Sequence, residues 1–550
     1  MRGVLLMGLV LSCGGSGAGE DGGLAADTGA ADTGAADTGA ADTGEDSAAV
    51  SDATGADAAP CVPSGPERCD GVDNDCNGEA DDGFVLRCTA VEPEVVEAEL
   101  TGDGFSRGVV RNLLRGNDVG IALPALPDRS EFIWVAASSD NLVSKIRVAD
   151  GVEVGRFVVG DDPSRTAVDG NGDAWVAMRG DLNDNGDPEE PWENVVKIDG
   201  SCTPAVAPPM ATRECVLLDI PEVGNLLRGV AIDARGDVWV GAHATGEVIR
   251  LDGRSGEILE RIRLDPFARP YGLAIDEAGY LWVAAITGDA HVLRVDPVEG
   301  IVDVALDFDQ LERHTPYGIA ADGAGGVWFG SRIRDVFRVD AETFELSHVH
   351  DVGTATRGVA IDDRGYVWTA DSSRDALIAA DPESGEVLYE VAVGRGPVGV
   401  AVDHDGFVWG ANLFDDSVSK VDPVTGDLLG TFPVGRTPYT YSDMTGSAFR
   451  VFRRLRGVFR GSYGVGVPGA RWTLVRVEGE IGDDAVFRMR AADSLAGLSS
   501  AAWSEVNLSS GEATLDLRGS DLEVEVTLQT EDRAEPPPFV ESLRFTVEFP

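Results

Sequence analysis

The chain has 550 residues and carries 95 acidic against 44 basic side chains, a formal net charge of −51. That length excludes a single small domain. The negative excess opposes binding to phosphate backbones or anionic lipid, so nucleic acid is excluded as a partner.

The chain starts Met1-Arg2, runs through an apolar stretch from Val4 to Leu11 and reaches Ser12-Cys13-Gly14. This is the pattern of a secretory signal over residues 1–12, too short to span a membrane as a mature helix. Val10-Leu11-Ser12-Cys13 resembles the bacterial lipobox. The resemblance implies that Cys13 is acylated and that the exported protein touches a membrane only through this lipid anchor. Gly14 lacks the Asp associated with inner-membrane retention, so the outer membrane or cell surface of a Gram-negative bacterium is expected. Residues 13–60 collapse to Ala, Asp, Thr and Gly, with "ADTGA" in tandem, and read as a disordered tether with too little apolar surface to order itself.

Six cysteines remain, an even number suited to an oxidising compartment: Cys61, Cys69, Cys76, Cys88, Cys202 and Cys215. Three disulfides are expected. Cys202 and Cys215 are close enough in sequence to pair, whereas the first four allow three connectivities.

Residues 61–90 form a Cys-rich module around "CDGVDNDCNGEADDGF". Asp73, Asp75, Asn77 and Asp81 follow the spacing of a calcium loop, with Gly78 at the sharp turn and Glu79 offering a backbone carbonyl. Phe84 stands where such loops place a bidentate Glu, so Asp70 or Asp82 would complete the shell. The stretch from about Glu67 to Phe84 also resembles the Cys-Asp-Gly-x-Asp-Asn-Asp-Cys metal-binding motif of bacterial surface proteins, including a copper-associated methanotroph surface protein family. The all-oxygen donor set, without His or Met, favours calcium over copper.

Residues 115–446 carry a repeat marked by Trp134, Trp175, Trp239, Trp282, Trp328, Trp368 and Trp409, with an Asp six residues before each. A period near 40 with short alternating strands and Gly or Asp turns predicts an all-β, seven-bladed β-propeller. In one unit the strands are expected at Gly272–Asp276, Tyr280–Ala284, His291–Asp296 and Ile301–Leu306. Two segments compete to close the ring beside Trp134: Val119–Asp128 and the "PYTYSD" of Pro438–Asp443. The second is expected, because a strand from the far end leaves no open edge. The long gap between Trp175 and Trp239 marks an insertion over 180–222. Within it Asp181, Asn183, Asn185 and Asp187 repeat the calcium-loop spacing. Residues 447–550 lose the period but keep strand-like alternation, which suits a small β-sandwich.

Residues eleven before the repeat tryptophans should ring one mouth of the hub: Ser164, Arg228, Tyr271, Tyr317, Arg357 and Val398, with Tyr439 from the closing strand and Arg165 alongside. A second circle follows the tryptophans: Arg179, His243, Arg332, Asp371 and Asn412. Arginines and tyrosines gathered in a very acidic protein suit a polar or anionic ligand with a flat ring or sugar face, a glycan or a protein partner.

The unit "PYGIAADGAGGVWFG" is similar to the repeats of the streptogramin (virginiamycin B) lyase family, over roughly Glu131 to Gly446. The resemblance implies a seven-bladed propeller and, as an activity, opening of a macrocyclic lactone by a His base and a magnesium ion. Only His243 and Asp371 could serve as that base and metal ligand, since Ala137, Met178, Ala242, Ala285, Ser331, Asp371 and Asn412 occupy the offset at which the family places Glu. The expected role is therefore non-catalytic recognition by a metal-stabilised surface lipoprotein, with a metal-dependent lyase as the alternative. No G-x-S-x-G, Walker loop or H-E-x-x-H motif is present.

Overall fold

The computed structural model describes residues 63–550 apart from short stretches, of which 181–193 is the longest. Cys13, Cys61, Asp82, Asp128 and the segment holding Asp181, Asn183, Asn185 and Asp187 lie outside the described residues.

Six four-stranded antiparallel sheets and one three-stranded sheet follow one another along the chain. Blade 4 is representative, with strands Pro270–Ile275, Leu281–Ala285, Ala290–Asp296 and Ile301–Asp307, each within two residues of its expected place. Its second strand is buried throughout, because neighbouring blades cover both faces. Its outermost strand alternates between exposed and half-buried positions. The repeat tryptophans fill the space between blades, six of the seven with no exposed surface and Trp328 nearly so.

The Asp six residues before each tryptophan explains both the turn and the indole. Asp276 Oδ1 accepts the backbone N–H of Ala278 and Tyr280, closing the turn between the first two strands, while Oδ2 accepts the Trp282 indole N–H at 2.8 Å. The same arrangement recurs at Asp169, Asp233, Asp362 and Asp403. In blade 5 Arg338 takes Asp322 Oδ2 instead.

The recurring Gly of the innermost strand has an equally physical cause. A Cβ at Gly229 would stand 2.8 Å from the Leu273 amide nitrogen of the next blade, and one at Gly358 would stand 2.9 Å from that of Val400. Adjacent innermost strands therefore approach only where no side chain intervenes.

Blade 1 supplies the three-stranded sheet Phe132–Ala137, Leu142–Arg147 and Glu153–Val158. Residues 437–444 lie along its first strand: Ser138 N–H donates to Thr437 O, Tyr439 N–H to Ala136 O and Trp134 N–H to Met444 O. The far end of the array thus closes the ring. In blade 2, the third and fourth strands, Val195–Ile198 and Val216–Ile220, lie inside the segment read as an insertion. The extra length falls on either side of the third strand, and the loop after it is tied by the Cys202–Cys215 disulfide.

The terminal sandwich is assembled from both sides of the propeller. One five-stranded sheet runs Arg87–Glu92, Val95–Leu100, Ser542–Glu548, Arg471–Glu478, Glu512–Arg518. The other runs Val109–Arg111, Leu455–Gly464, Asp521–Thr530, Val486–Ala492, Ser504–Val506. Leu114–Gly116 and Gly120–Ala122, which the sequence placed at the start of the propeller, pair with each other, and Gly120–Ala122 pairs with Phe539–Val540. Short strands that alternate weakly carry no repeat signal, so their distant partners were not legible. Phe459, Trp472, Phe545 and Val547 fill the core between the sheets. The sandwich meets blade 4 through Arg111, which pairs with Asp296 at 2.8 Å and lies over the Tyr280 ring, and through Asn112, which donates to Glu277 O and Arg456 O.

Candidate functional site

The innermost strands present three layers to the propeller axis. The outermost layer holds Arg228, Tyr271, Tyr317, Arg357, Val398 and Tyr439, each at the matching position of its blade. Beneath lie apolar residues such as Val230, Leu273, Ile319, Val359 and Val400, lining a chamber of roughly 100 Å³. Strand alternation fixes this pattern, since every second side chain of an innermost strand points to the axis.

Blades 1 and 2 break it. Thr440 and Arg165 stand where the other innermost strands have Gly, and Tyr441 occupies the second layer. The Tyr271 hydroxyl lies 2.8 Å from that of Tyr317, 2.6 Å from that of Tyr439 and 3.1 Å from that of Tyr441. The Tyr317 hydroxyl also meets those of Tyr439, at 3.1 Å, and Tyr441. Four phenols from three blades, two of them from the closing strand, thus form one hydrogen-bonded cluster across the axis. Tyr441 was absent from the expected hub set; its sequence signal was an aromatic residue where blades 3 to 7 carry Leu, Ile or Val and blade 2 carries Thr166.

Five guanidinium groups surround this cluster. Arg165 has no exposed surface, and its Cζ lies 3.8 Å from the Tyr441 ring centre, 4.9 Å from that of Tyr271 and 5.3 Å from that of Tyr439. Arg228 faces Tyr271, Arg332 and Arg357 face Tyr317, and Arg179 faces Tyr439, all between 4.5 and 5.5 Å. Arg179 pairs with Asp162, and Arg357 donates to Ser372. Among the described residues no carboxylate pairs with Arg165 or Arg228. Arg165 Nη2 and Arg228 Nε and Nη1 are buried without a hydrogen-bond partner. Buried donors left this way are costly, and no carboxylate among the described residues offsets the charge of Arg165 or Arg228.

The environment acts differently on each phenol. Burial pushes the Tyr441 and Tyr317 hydroxyls up. Burial opposes ionisation of Tyr439 as well, but Arg165 and hydrogen bonds from Tyr271, Tyr317 and Tyr441 outweigh it and bring that hydroxyl down to about 7. Burial also lowers Arg228, and it lowers His243 despite the bond to Pro270 O, with Arg228, Arg269 and Arg165 adding to the effect.

His243 sits beside the cluster, its Nδ1 3.1 Å from Pro270 O and its ring edge-on to Tyr271 at 6.2 Å. Asp371 has no exposed surface, and its carboxylate accepts from the Thr354 amide and hydroxyl and from the amides of Ser373 and Arg374. It builds a turn. Asn412 donates to Ser417 and Ser419, and Ser164 is buried.

In the Cys-rich module, Glu67, Asp73 and Asp75 can bring carboxylate oxygens within 4.8 Å of one another, the only such group of three or more metal-ligating side chains among the described residues. Glu67 lies upstream of the calcium-loop spacing and was not expected. Its carboxylate accepts the backbone N–H groups of Asn74, Asp75 and Asp81, folding the loop around itself. The other expected ligands serve turns: Asn77 accepts from the Glu79 amide, and Asp81 accepts from the Asp70 amide. Cys69 pairs with Cys88, and Cys76 is also disulfide-bonded.

No family model and no curated protein matches the chain. Solved structures with similar folds include the hydrazine synthase of Kuenenia stuttgartiensis, at 14% identity over 55% of this chain and 95% of that one, with a TM-score of 0.46. A streptogramin B lyase aligns at 16% identity over 56% of this chain and 96% of that one, with a TM-score of 0.43. A protein from Lactobacillus plantarum aligns at 11% identity over 56% and 98%, with a TM-score of 0.45.

Proposed function

We propose that this chain is an exported surface lipoprotein, anchored through Cys13, whose propeller hub binds a polar or anionic ligand without catalysing its turnover. The observation that carries the reading is the cationic hub: five arginines converge on four tyrosines, and Arg165 and Arg228 keep buried N–H groups with no acceptor. An anion with a flat or sugar-like face would supply the missing acceptors and stack on the phenols. The Cys-rich module is proposed to hold calcium through Glu67, Asp73 and Asp75, a hard-oxygen set suited to that ion. The test is a glycan and small-anion binding array on the full chain beside the Arg228→Gln/Arg357→Gln variant. A ligand retained by the wild type and lost by the variant supports hub recognition; equal binding refutes it.

The lyase alternative draws on one observation, the position of His243 beside the hub with burial favouring its neutral form. Its proposed metal ligand Asp371 is already committed to the Thr354 turn. Magnesium-dependent opening of a streptogramin B ring, lost in His243→Ala, would establish it over the recognition reading.

A further inference from the structure

The hub has an internal charge problem whose solution names its ligand class. Burying a guanidinium without a counter-charge is far costlier than burying a phenol. Arg165 is fully enclosed, and its Nη1 donates to Ser164 O at 2.6 Å. Tyr439 is faced by two guanidinium groups and its hydroxyl lies 2.6 Å from that of Tyr271. Arg165 faces it from blade 2, as does Arg179, which is itself paired with Asp162. Tyr271 from blade 4, Tyr317 from blade 5 and Tyr441 from its own strand face it with hydroxyls or ring. Arg228 and His243 from blade 3 and Arg332 and Arg357 from blades 5 and 6 stand behind Tyr271 and Tyr317.

We propose that Tyr439 is held as a phenolate that serves as the resident counter-ion of the hub, and that the hub's ligand is an oxyanion that replaces this charge. This rests on the anionic-ligand reading above and adds a proton to it. When the oxyanion enters beside Arg165 and Arg228, the Tyr439 oxygen takes one proton from solvent and the net charge of the site is unchanged. The lowered position of the Tyr439 hydroxyl, near 7, with its neighbours Tyr317 and Tyr441 raised, agrees with one phenolate fed by neutral donors. Binding of the oxyanion should then be pH-independent below about 7 and weaken about tenfold per pH unit above it, since the phenolate must be protonated first.

The experiment titrates the full chain from pH 5 to 10 at 295 nm and repeats the titration with sodium sulfate as the probe. One of the eight tyrosines should ionise near pH 7. That transition should vanish in Tyr439→Phe and move up by more than one pH unit in Arg165→Gln, a second variant should the first not fold. At pH 8 sulfate should bleach the band, and calorimetry in two buffers of different ionisation heat should report uptake of about one proton per sulfate bound. No ionisation below pH 9 overturns the proposal. Sulfate binding with the band unchanged overturns the displacement and leaves the anionic hub standing. A band near pH 7 with no sulfate binding refutes the anionic hub itself.

Discussion

Removing one carboxylate tests whether the Asp–Trp pair holds a blade together. Asp403 has no exposed surface. Its Oδ1 accepts the amides of Asp405 and Phe407, its Oδ2 accepts the Trp409 indole N–H at 2.7 Å, and Lys420 Nζ stands 3.9 Å away. In Asp403→Ala the indole donor is stranded in a dry interface at about 1–3 kcal/mol, and each half-buried turn amide adds roughly 1 kcal/mol. The sum is about 3–5 kcal/mol, before counting Lys420, whose ammonium burial already disfavours. For a cooperative unit of roughly 300 residues the unfolding entropy is about 0.6 kcal/mol/K, so the melting midpoint should fall by about 5–8 °C. Asp403→Asn should cost about half as much, because the amide keeps the turn acceptor but sets an N–H against the indole N–H. The assay is differential scanning calorimetry on a cycle of Asp403→Asn and Trp409→Phe. If Asp403→Asn lowers the midpoint by the same amount in both backgrounds, the indole bond is not what the carboxylate is for.

Burial, with Asp276 and Asp322 adding, raises the Glu277 carboxyl to about 7 at the contact with the sandwich. A raised acid binds its proton more tightly when folded, so its stabilisation is complete below about pH 4.5 and is lost as pH rises through 7, up to about 3 kcal/mol in all. Glu277→Gln should flatten the dependence of the melting midpoint on pH between 5 and 8. Gly358→Ala places a methyl 2.9 Å from the Val400 amide nitrogen and should lower the midpoint by several degrees, whereas Gly365→Ala, with no neighbour in reach but a φ of 84°, should cost only about 1 kcal/mol of backbone strain; equal losses would contradict the close-approach argument. Calcium should raise the melting temperature of the full chain, and Glu67→Gln with Asp73→Asn should abolish the rise, read by calorimetry with and without a chelator.

The propeller was legible because its constraints repeat. Trp, Asp and Gly recur at fixed offsets, each answering a contact that every blade must make. The hub followed from that register, since one position per innermost strand stands in the layer at the mouth. What escaped were exceptions: Thr440 breaks the Gly column and Tyr441 the aliphatic one, and a periodic reading weighs a break as noise; Arg165, which also breaks the Gly column, was found only because it adjoins a hub position. Glu67 escaped for a different reason. It reaches the Asp73 loop through the fold of the disulfide-bonded module, which no loop spacing encodes. The sandwich strands before the propeller pair with partners more than 300 residues away, and such pairings leave no local trace.

The ring is shut at residues 437–444, and the segments on either side of it are knit again in the sandwich sheets. A protease cut in any loop between blades would therefore not release a fragment, because both pieces remain fastened at two separate seams. Such a nicked molecule should migrate as one particle on gel filtration and fall into two only in denaturant.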